Sequence, residues 1–214
     1  MIIKSATTLG AVLAGGKSRR LGRDKARVEL EGLTLVERAV ATLSGVCSTV
    51  IIVSPEREGL PLSDSEVVPD LQSGQGPLGG IATALHWAGG QSIFVLACDM
   101  PFVSSGLVEH VIRSVSDEGE ETPRTEGSIA CVPRWLGRLE PLCALYRRDA
   151  LPHIEQALAI GAFGVQDLLE TVPIEVADIG RQHPFSHPEL FMNINRPMDL
   201  DKAVSMFARG SDQD

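Results

Sequence analysis

The residues from Leu13 to Lys25, LAGGKSRRLGRDK, join two adjacent glycines to a dense run of basic side chains, directly after the apolar stretch TLGAV. Between Lys17 and Arg27 stand Lys17, Arg19, Arg20, Arg23, Lys25 and Arg27 against Asp24 alone, on a protein whose net charge is −9. Such a segment suits a small anionic ligand or a solvated basic turn, and charge by itself does not choose between them. The backbone N–H groups of Gly15 and Gly16 can approach phosphate oxygens because no side chain intervenes, and Arg19 and Lys25 would then close on the phosphates. AVLAGGKS nearly matches the phosphate-loop pattern G-x-x-x-x-G-K-S, but its first glycine is replaced by Ala11, inside an expected strand, which removes the turn that pattern needs.

Asp99 is the second chemical signal. It directly follows the apolar run IFVLAC, so in an open α/β sheet it sits at a carboxyl edge, where ligands bind. Mg²⁺ takes one or two carboxylates together with phosphate oxygens and water, so an acid at this edge can hold that ion or can cap the following turn. Asp70, after the extended piece around Val67 and Val68, adds an acid at the same edge. GQGPLG, Gly74 to Gly79, satisfies the dinucleotide spacing G-x-G-x-x-G. No strand runs into its first glycine, however, and Pro77 lies inside it, so the stretch reads as a loop that lets a bulky ligand lie against backbone.

These residues need a scaffold that brings separate loops to one edge. Apolar runs of strand length alternate with stretches of helical period, the pattern of a mainly parallel sheet with helices on both faces. Strands are expected at Leu9 to Ala14, 49 to 54 (TVIIVS), around Val67, at 93 to 98 and at IEVAD. Helices are expected from Thr34 to about Leu43, from Gly79 to Ala88, from Ser104 or Ser105 to about Val115, over 149 to 160 and 164 to 171, and near 198 to 208. SIACVP and LEPLCALY read as a hairpin or neighbouring pair on the sheet edge around the turn RWLGR. SDEGEETPRTEG, 116 to 127, reads as a solvated acidic loop.

The 214 residues, 43% of them apolar, are enough for one large core. An acidic protein is a poor match for nucleic acid or anionic membrane, which call for a basic face. Cys47, Cys98, Cys131 and Cys143 are widely spaced and read as reduced core thiols. His183 and His187 are four apart, but Pro184 argues against a helix that would bring both to one metal. The N-terminus MIIKSATT lacks the apolar stretch of a signal peptide, no apolar run approaches membrane-spanning length, and the expected location is cytoplasmic.

Taken in order, LAGGKSRRLGRDK, VVPD, GPLGGIATAL, LACDMPF, EPLCALY and NINRPMDL resemble the molybdenum cofactor guanylyltransferases, from Leu13 to Leu200. LAGG with a downstream lysine is shared more widely, with sugar-phosphate and isoprenoid nucleotidyltransferases. The resemblance implies a Rossmann-like nucleotidyltransferase fold of a single domain spanning residues 1–214, its N-terminal part binding nucleotide and its C-terminal part contributing to the molybdopterin side. It implies the reaction of GTP with molybdenum-loaded molybdopterin to give the guanine dinucleotide cofactor and pyrophosphate, with Mg²⁺ as cofactor. Proteins of molybdenum insertion and molybdoenzyme maturation are the implied partners.

Carried over residue by residue, the resemblance implies that Leu13, Ala14 and Gly15 meet the nucleotide, Lys25 its phosphates, Asp70 the nucleoside portion, and Asp99 both nucleotide and metal. Gly76, Gly80, Asn193 and Asn195 match positions on the pterin side. In VSPER, relatives can carry a nucleotide-contacting asparagine where Ser54 or its neighbour stands here. The nucleophile would be the terminal phosphate of molybdopterin, already an anion, so positioning and charge neutralisation suffice, by Mg²⁺ on Asp99 and by Lys25 with the Arg19 and Arg20 region. A transferase using CTP or another phosphorylated acceptor, and a non-catalytic nucleotide sensor or cofactor carrier, are the alternatives.

Overall fold

A computed structural model describes residues 8–15, 25–55, 60, 65–71, 74–114 and 125–211. The first strand, β1 (Thr8–Leu13), is buried along its whole length and sits between two parallel neighbours, β4 (Val50–Ser54) and β6 (Ser92–Ala97). A strand covered on both faces has no use for polar alternation, and TLGAVL shows little. β5 (Glu66–Pro69) extends the sheet in parallel beyond β4. On the other flank β9 (Cys143–Tyr146) runs antiparallel to β6, followed by β7 (Ala130–Trp135) and then by β10 (Glu175–Ile179), parallel to β7. The short β8 (Arg138–Leu139) pairs back onto β7 across the turn at Leu136 and Gly137.

The chain leaves β1 toward β4 and β5 on one side and returns to β6 on the other. The carboxyl ends of β1 and β6 therefore flank the point where strand order reverses, and in open α/β sheets this is where ligands bind.

Helices cover both faces. α1 (Leu35–Ser44) and α3 (Ser105–Arg113) bury Leu35, Val36, Ala39, Val40, Leu43 and Leu107, Val108, Val111, Ile112, each set at helical spacing. Val12, Ile52, Phe94 and Leu96 face the core on the side of these two helices. α2 (Gly76–Trp87), α4 (Ala150–Ala159) and α5 (Val165–Leu169) cover Leu9, Leu13, Ile51, Ile93 and Val95 on the opposite face. α1 starts where its sequence says it should. The Thr34 hydroxyl accepts from the Glu37 N–H, and the Glu37 carboxylate accepts from the Thr34 N–H at 2.7 Å, a complete capping box.

A third, smaller cluster anchors the C-terminal part. The hairpin of β2 (Glu29–Leu30) and β3 (Leu33–Thr34) contributes Leu30, its flanks contribute Val28 and Leu35, the first residue of α1, and the chain around α6 (Pro197–Ser211) contributes Ile194 and Ala203. The Phe207 ring stacks on Phe102 at 5.1 Å between centroids, and the Arg38 guanidinium lies 4.6 Å over the Phe207 ring.

Three expectations are corrected. α2 begins at Gly76 and not at Gly79: Gly76 and Pro77 form its first turn, where proline is favoured because its missing N–H has no helical partner to lose. The strands around RWLGR, β7 and β9, are antiparallel neighbours as expected, but β10 forms the edge and β9 lies in the sheet interior between β6 and β7; the tight hairpin joins β7 to β8. The β2–β3 hairpin was not anticipated, and Glu31 and Gly32, both at positive φ, make its turn. Residues 116 to 124 of the acidic segment lie outside the described residues. All four cysteines are buried and none is in a disulfide, and among the described residues no helix is long and apolar enough to cross a membrane.

Gly10 sets how closely α1 approaches β1. A Cβ there would lie 3.1 Å from Val50 Cγ2 and 3.2 Å from both Leu43 Cβ and Cδ1. Gly10→Ala is expected to destabilise the protein by about 1–3 kcal/mol through overpacking. Thermal unfolding checks this, and an unchanged or higher Tm would contradict it.

Candidate active site

Lys25 opens a single 3₁₀ turn, Lys25–Arg27, whose Ala26 is fully buried, and Val28 and Leu30 continue the anchoring into the third cluster. The Val28 N–H closes the turn on the Lys25 carbonyl at 3.1 Å. The lysine is thereby fixed at its backbone and projects toward Asp99, which follows β6 by two residues. Lys25 Nζ donates to Asp99 Oδ2 at 2.8 Å, and the two side chains keep only 20% and 15% of their exposure. At about 3 Å and an effective dielectric near 20 the attraction is on the order of 5 kcal/mol before desolvation is subtracted. Lys25 Nζ also donates to Asn195 Oδ1.

The Asn195 contact has its own supports. The Ile194 N–H donates to the Asp99 carbonyl at 2.9 Å, and the Ile194 side chain is fully buried in the third cluster. Ile194 is buried, whereas Asn193 is half-buried and Asn195 exposed. Asn193 Nδ2 donates to the Phe191 carbonyl at 3.1 Å.

The glycine-rich segment begins at the same edge. The Leu13 carbonyl accepts from the Cys98 N–H at 3.2 Å and the Ala14 N–H donates to the Val53 carbonyl at 2.9 Å. The first backbone groups beyond these sheet bonds are the Ala14 carbonyl and the N–H of the exposed Gly15. Gly80 does not line a surface: it is buried, and a Cβ on it would meet Leu13 Cδ2 at 3.2 Å, so its bareness seats α2 on β1. Gly76 is exposed with φ +63°, a conformation that favours glycine. The Asp70 N–H donates to the Ser54 carbonyl at 3.2 Å, and Asp70 Oδ1 accepts from the buried Thr83 hydroxyl at 3.2 Å.

The fold joins Lys25 and Asp99, expected at the phosphates and the metal, and brings to the same lysine the amide of Asn195, expected on the pterin side. Arg19, with Gly16 and the other basic residues from 16 to 24, lies outside the described residues. Thr83 and Gln75 were missed. Gln75 precedes α2, and its Oε1 is buried without a hydrogen-bond partner among the described residues, an acceptor that a bound donor would satisfy. Its place within GQGP was the available signal. His183 and His187 stand in an irregular stretch, where His183 packs on His110 at 4.4 Å and His187 on Phe102 at 5.9 Å between ring centroids. Among the described residues no group of three or more His, Cys, Asp or Glu side chains could hold a metal by itself. One carboxylate with an amide oxygen nearby fits a divalent ion that arrives with substrate phosphates, since such an ion needs few protein ligands.

This architecture and site define a nucleotidyltransferase. A family model described as the MobA-like NTP transferase domain matches residues 10–177, and the chain belongs to that family. It is 35% identical over 199 residues to a protein of Pelotomaculum thermopropionicum named "Probable molybdenum cofactor guanylyltransferase", covering 92% of each chain. It is 31% identical over 208 residues to the molybdenum cofactor guanylyltransferase of Desulfosudis oleivorans, covering 94% of this chain and 96% of the relative. The crystal structure of molybdopterin-guanine dinucleotide biosynthesis protein A from Archaeoglobus fulgidus superimposes with a TM-score of 0.75 at 29% identity, over 94% of this chain and 99% of that one.

Glu140 lies beside this edge. Its turn hands Leu142 to the end of β6, where the Leu142 carbonyl accepts from the Ala97 N–H at 2.8 Å. Burial pushes the Glu140 carboxyl up from 4.5 to about 7, with Arg138 offsetting part of the rise. The folded protein therefore holds a proton that the unfolded chain has already lost, and stability falls as pH rises from about 4.5 to about 7. Glu140→Gln is expected to stabilise the protein at pH 8 by on the order of 1 kcal/mol and to leave it unchanged near pH 4.5. Urea unfolding at the two pH values measures this, and an equal effect at both would contradict it.

Proposed function

We propose that this protein transfers GMP from GTP to the terminal phosphate of molybdenum-loaded molybdopterin, forming the guanine dinucleotide cofactor and releasing pyrophosphate. The observation that carries the reading is the meeting of Lys25, Asp99 and Asn195 at the reversal point of the sheet, beside the glycine-rich segment after β1. The guanylyltransferase names of relatives matched over nearly the whole chain support the substrate.

In this reading an oxygen of the acceptor phosphate attacks the α-phosphorus of GTP, and the bond from that phosphorus to the bridging β-phosphate oxygen breaks. The nucleophile is already ionised, so the protein needs no strong base; it aligns the two phosphates and offsets their charge. Lys25 turns from Asp99 to the triphosphate and, with Arg19, offsets charge on the departing pyrophosphate. Asp99 and Asn195 would hold Mg²⁺, which when bound neutralises phosphate charge. Asp70, held by Thr83, takes the nucleoside portion. The Gly15 N–H and the Ala14 carbonyl read the guanine edge, and Gly76, Asn193 and Asn195 mark the side on which the pterin enters, with the buried Gly80 seating α2 beneath it. The chain acts as one domain in the reducing cytoplasm, where buried thiols persist. It takes its molybdenum-loaded acceptor from proteins of molybdenum insertion and hands its product to proteins of molybdoenzyme maturation.

Asp99→Asn is expected to lower turnover by about 10²-fold or more with the fold retained by circular dichroism. Near-wild-type rates at limiting Mg²⁺ would remove Asp99 from the metal role.

Base selection tests the function itself. Adenine presents a donor where guanine presents an acceptor, and cytosine is too small to reach both backbone groups. Each unpaired buried group costs about 1–3 kcal/mol, so two mismatches give a preference for GTP of at least about 10²-fold in kcat/KM. With GTP, CTP and ATP competing for molybdopterin in one reaction, the guanine dinucleotide should dominate the products; a majority of cytosine dinucleotide would make this a cytidylyltransferase.

A further inference from the structure

Asp199 has no part in the chemistry above, yet it holds the backbone on which Asn195 stands. Its Oδ2 accepts from the Asn195 N–H at 2.9 Å and from the Arg196 N–H at 2.8 Å. Asp199 is the third residue of α6, which opens with Pro197. A carboxylate at that position can reach back to the N–H groups that precede a helix, and it also meets the helix dipole favourably. Because Pro197 has no N–H, the donors that need a partner here are those of Asn195 and Arg196.

The consequence reaches the site through one chain of contacts. From one side, Ile194 fixes the segment by its bond to the Asp99 carbonyl and by full burial of its side chain. From the other side, Asp199 is the fixture. Between them lies Asn195, exposed, with its Oδ1 on Lys25 Nζ. Releasing the Asp199 end would let Asn195 swing about Ile194 and leave Lys25 oriented by Asp99 alone. The released N–H groups are near solvent, so water replaces their partner at little cost to the fold.

We propose that Asp199 is a positioning residue for the transfer reaction: it orients Asn195 and, through it, Lys25. The proposal rests on the GMP-transfer reading. It separates catalysis from stability. Nucleotide binding tolerates a loosely held lysine better than the transition state does, because misalignment acts chiefly on the reacting geometry.

The test is steady-state GMP transfer by wild type, Asp199→Ala, Asp199→Asn, Asn195→Ala and the double variant Asp199→Ala/Asn195→Ala, with Tm measured for each. Asp199→Ala should lose about tenfold in kcat, equivalent to about 1.4 kcal/mol, with KM for GTP changed less than about threefold. Asp199→Asn should recover most of the rate, because its amide oxygen can accept the same two N–H bonds. In the Asn195→Ala background, Asp199→Ala should cost less than about twofold more, since the route is already cut. Thr34→Ala, which removes the cap of α1, serves as the structural control and should lower Tm while leaving kcat unchanged. An undiminished kcat in Asp199→Ala, full additivity with Asn195→Ala, or an equal rate loss in Thr34→Ala would overturn the positioning role alone. If Asp199→Ala does not fold, Asp199→Glu, which shifts the acceptor by one methylene, decides: about tenfold lower kcat at unchanged Tm supports the role, and a wild-type rate overturns it. A wild-type protein that forms no dinucleotide from GTP would overturn the transfer reading and this one with it.

Discussion

The contact between Lys25 and Asp99 is the constraint from which the rest of the site follows. A cation and an anion 2.8 Å apart, each with most of its side chain withdrawn from water, stabilise one another only while both are present. The two residues are 74 positions apart in the chain. Keeping them together requires that β1 and β6 be neighbours, that the segment after β1 return to the carboxyl edge, and that the turn after β6 present its acid there. The parallel register of Leu13 with Ala97 and the bond from Cys98 N–H to the Leu13 carbonyl meet the first requirement. Ala26, Val28 and Leu30 meet the second.

Such a pair suits a site whose ligand carries both signs. A triphosphate accompanied by a divalent ion offers an anionic partner to the lysine and a cationic one to the aspartate, so each group exchanges its resting partner for a ligand without being stranded. Asn195 joins the two because its amide can accept from the lysine and has no charge of its own to neutralise. In the proposed reaction the C-terminal segment thereby belongs to the phosphate centre, through the contact of Asn195 with Lys25. Its packing against the β2–β3 hairpin explains how residues beyond position 190 come to bear on a loop near the N-terminus.

Much of this was legible in the sequence, for physical reasons that differ from element to element. Strands buried on both faces read as apolar runs, and those at 50–54 and 92–97 lie within a residue of expectation. Thr34 and Glu37 announce a helix start because the reciprocal bonds need only local geometry. Asp99 was legible because an acid directly after a buried apolar strand stands at the carboxyl edge where ligands bind. The β2–β3 hairpin was not, since two-residue strands carry no measurable period, although Glu31–Gly32 held the turn signal. Gly76–Pro77 read as a breaker because proline ends helices as readily as it opens them, and only the packing of α2 on β1 decides. The place of β9 depends on its pairing with β6, which no neighbouring residue encodes. Asn195 lies 170 residues from Lys25, so their contact follows from the whole fold.

The central claim is that the resting Lys25–Asp99 pair is exchanged for nucleotide and metal. The most direct measurement is the structure of the complex with GTP and Mg²⁺. The account predicts a carboxylate oxygen of Asp99 within about 2.1 Å of the ion, and Lys25 Nζ at hydrogen-bond distance, about 3 Å, from a phosphate oxygen. An intact Lys25–Asp99 contact at its resting 2.8 Å, with GTP and the ion bound by other residues, would contradict it.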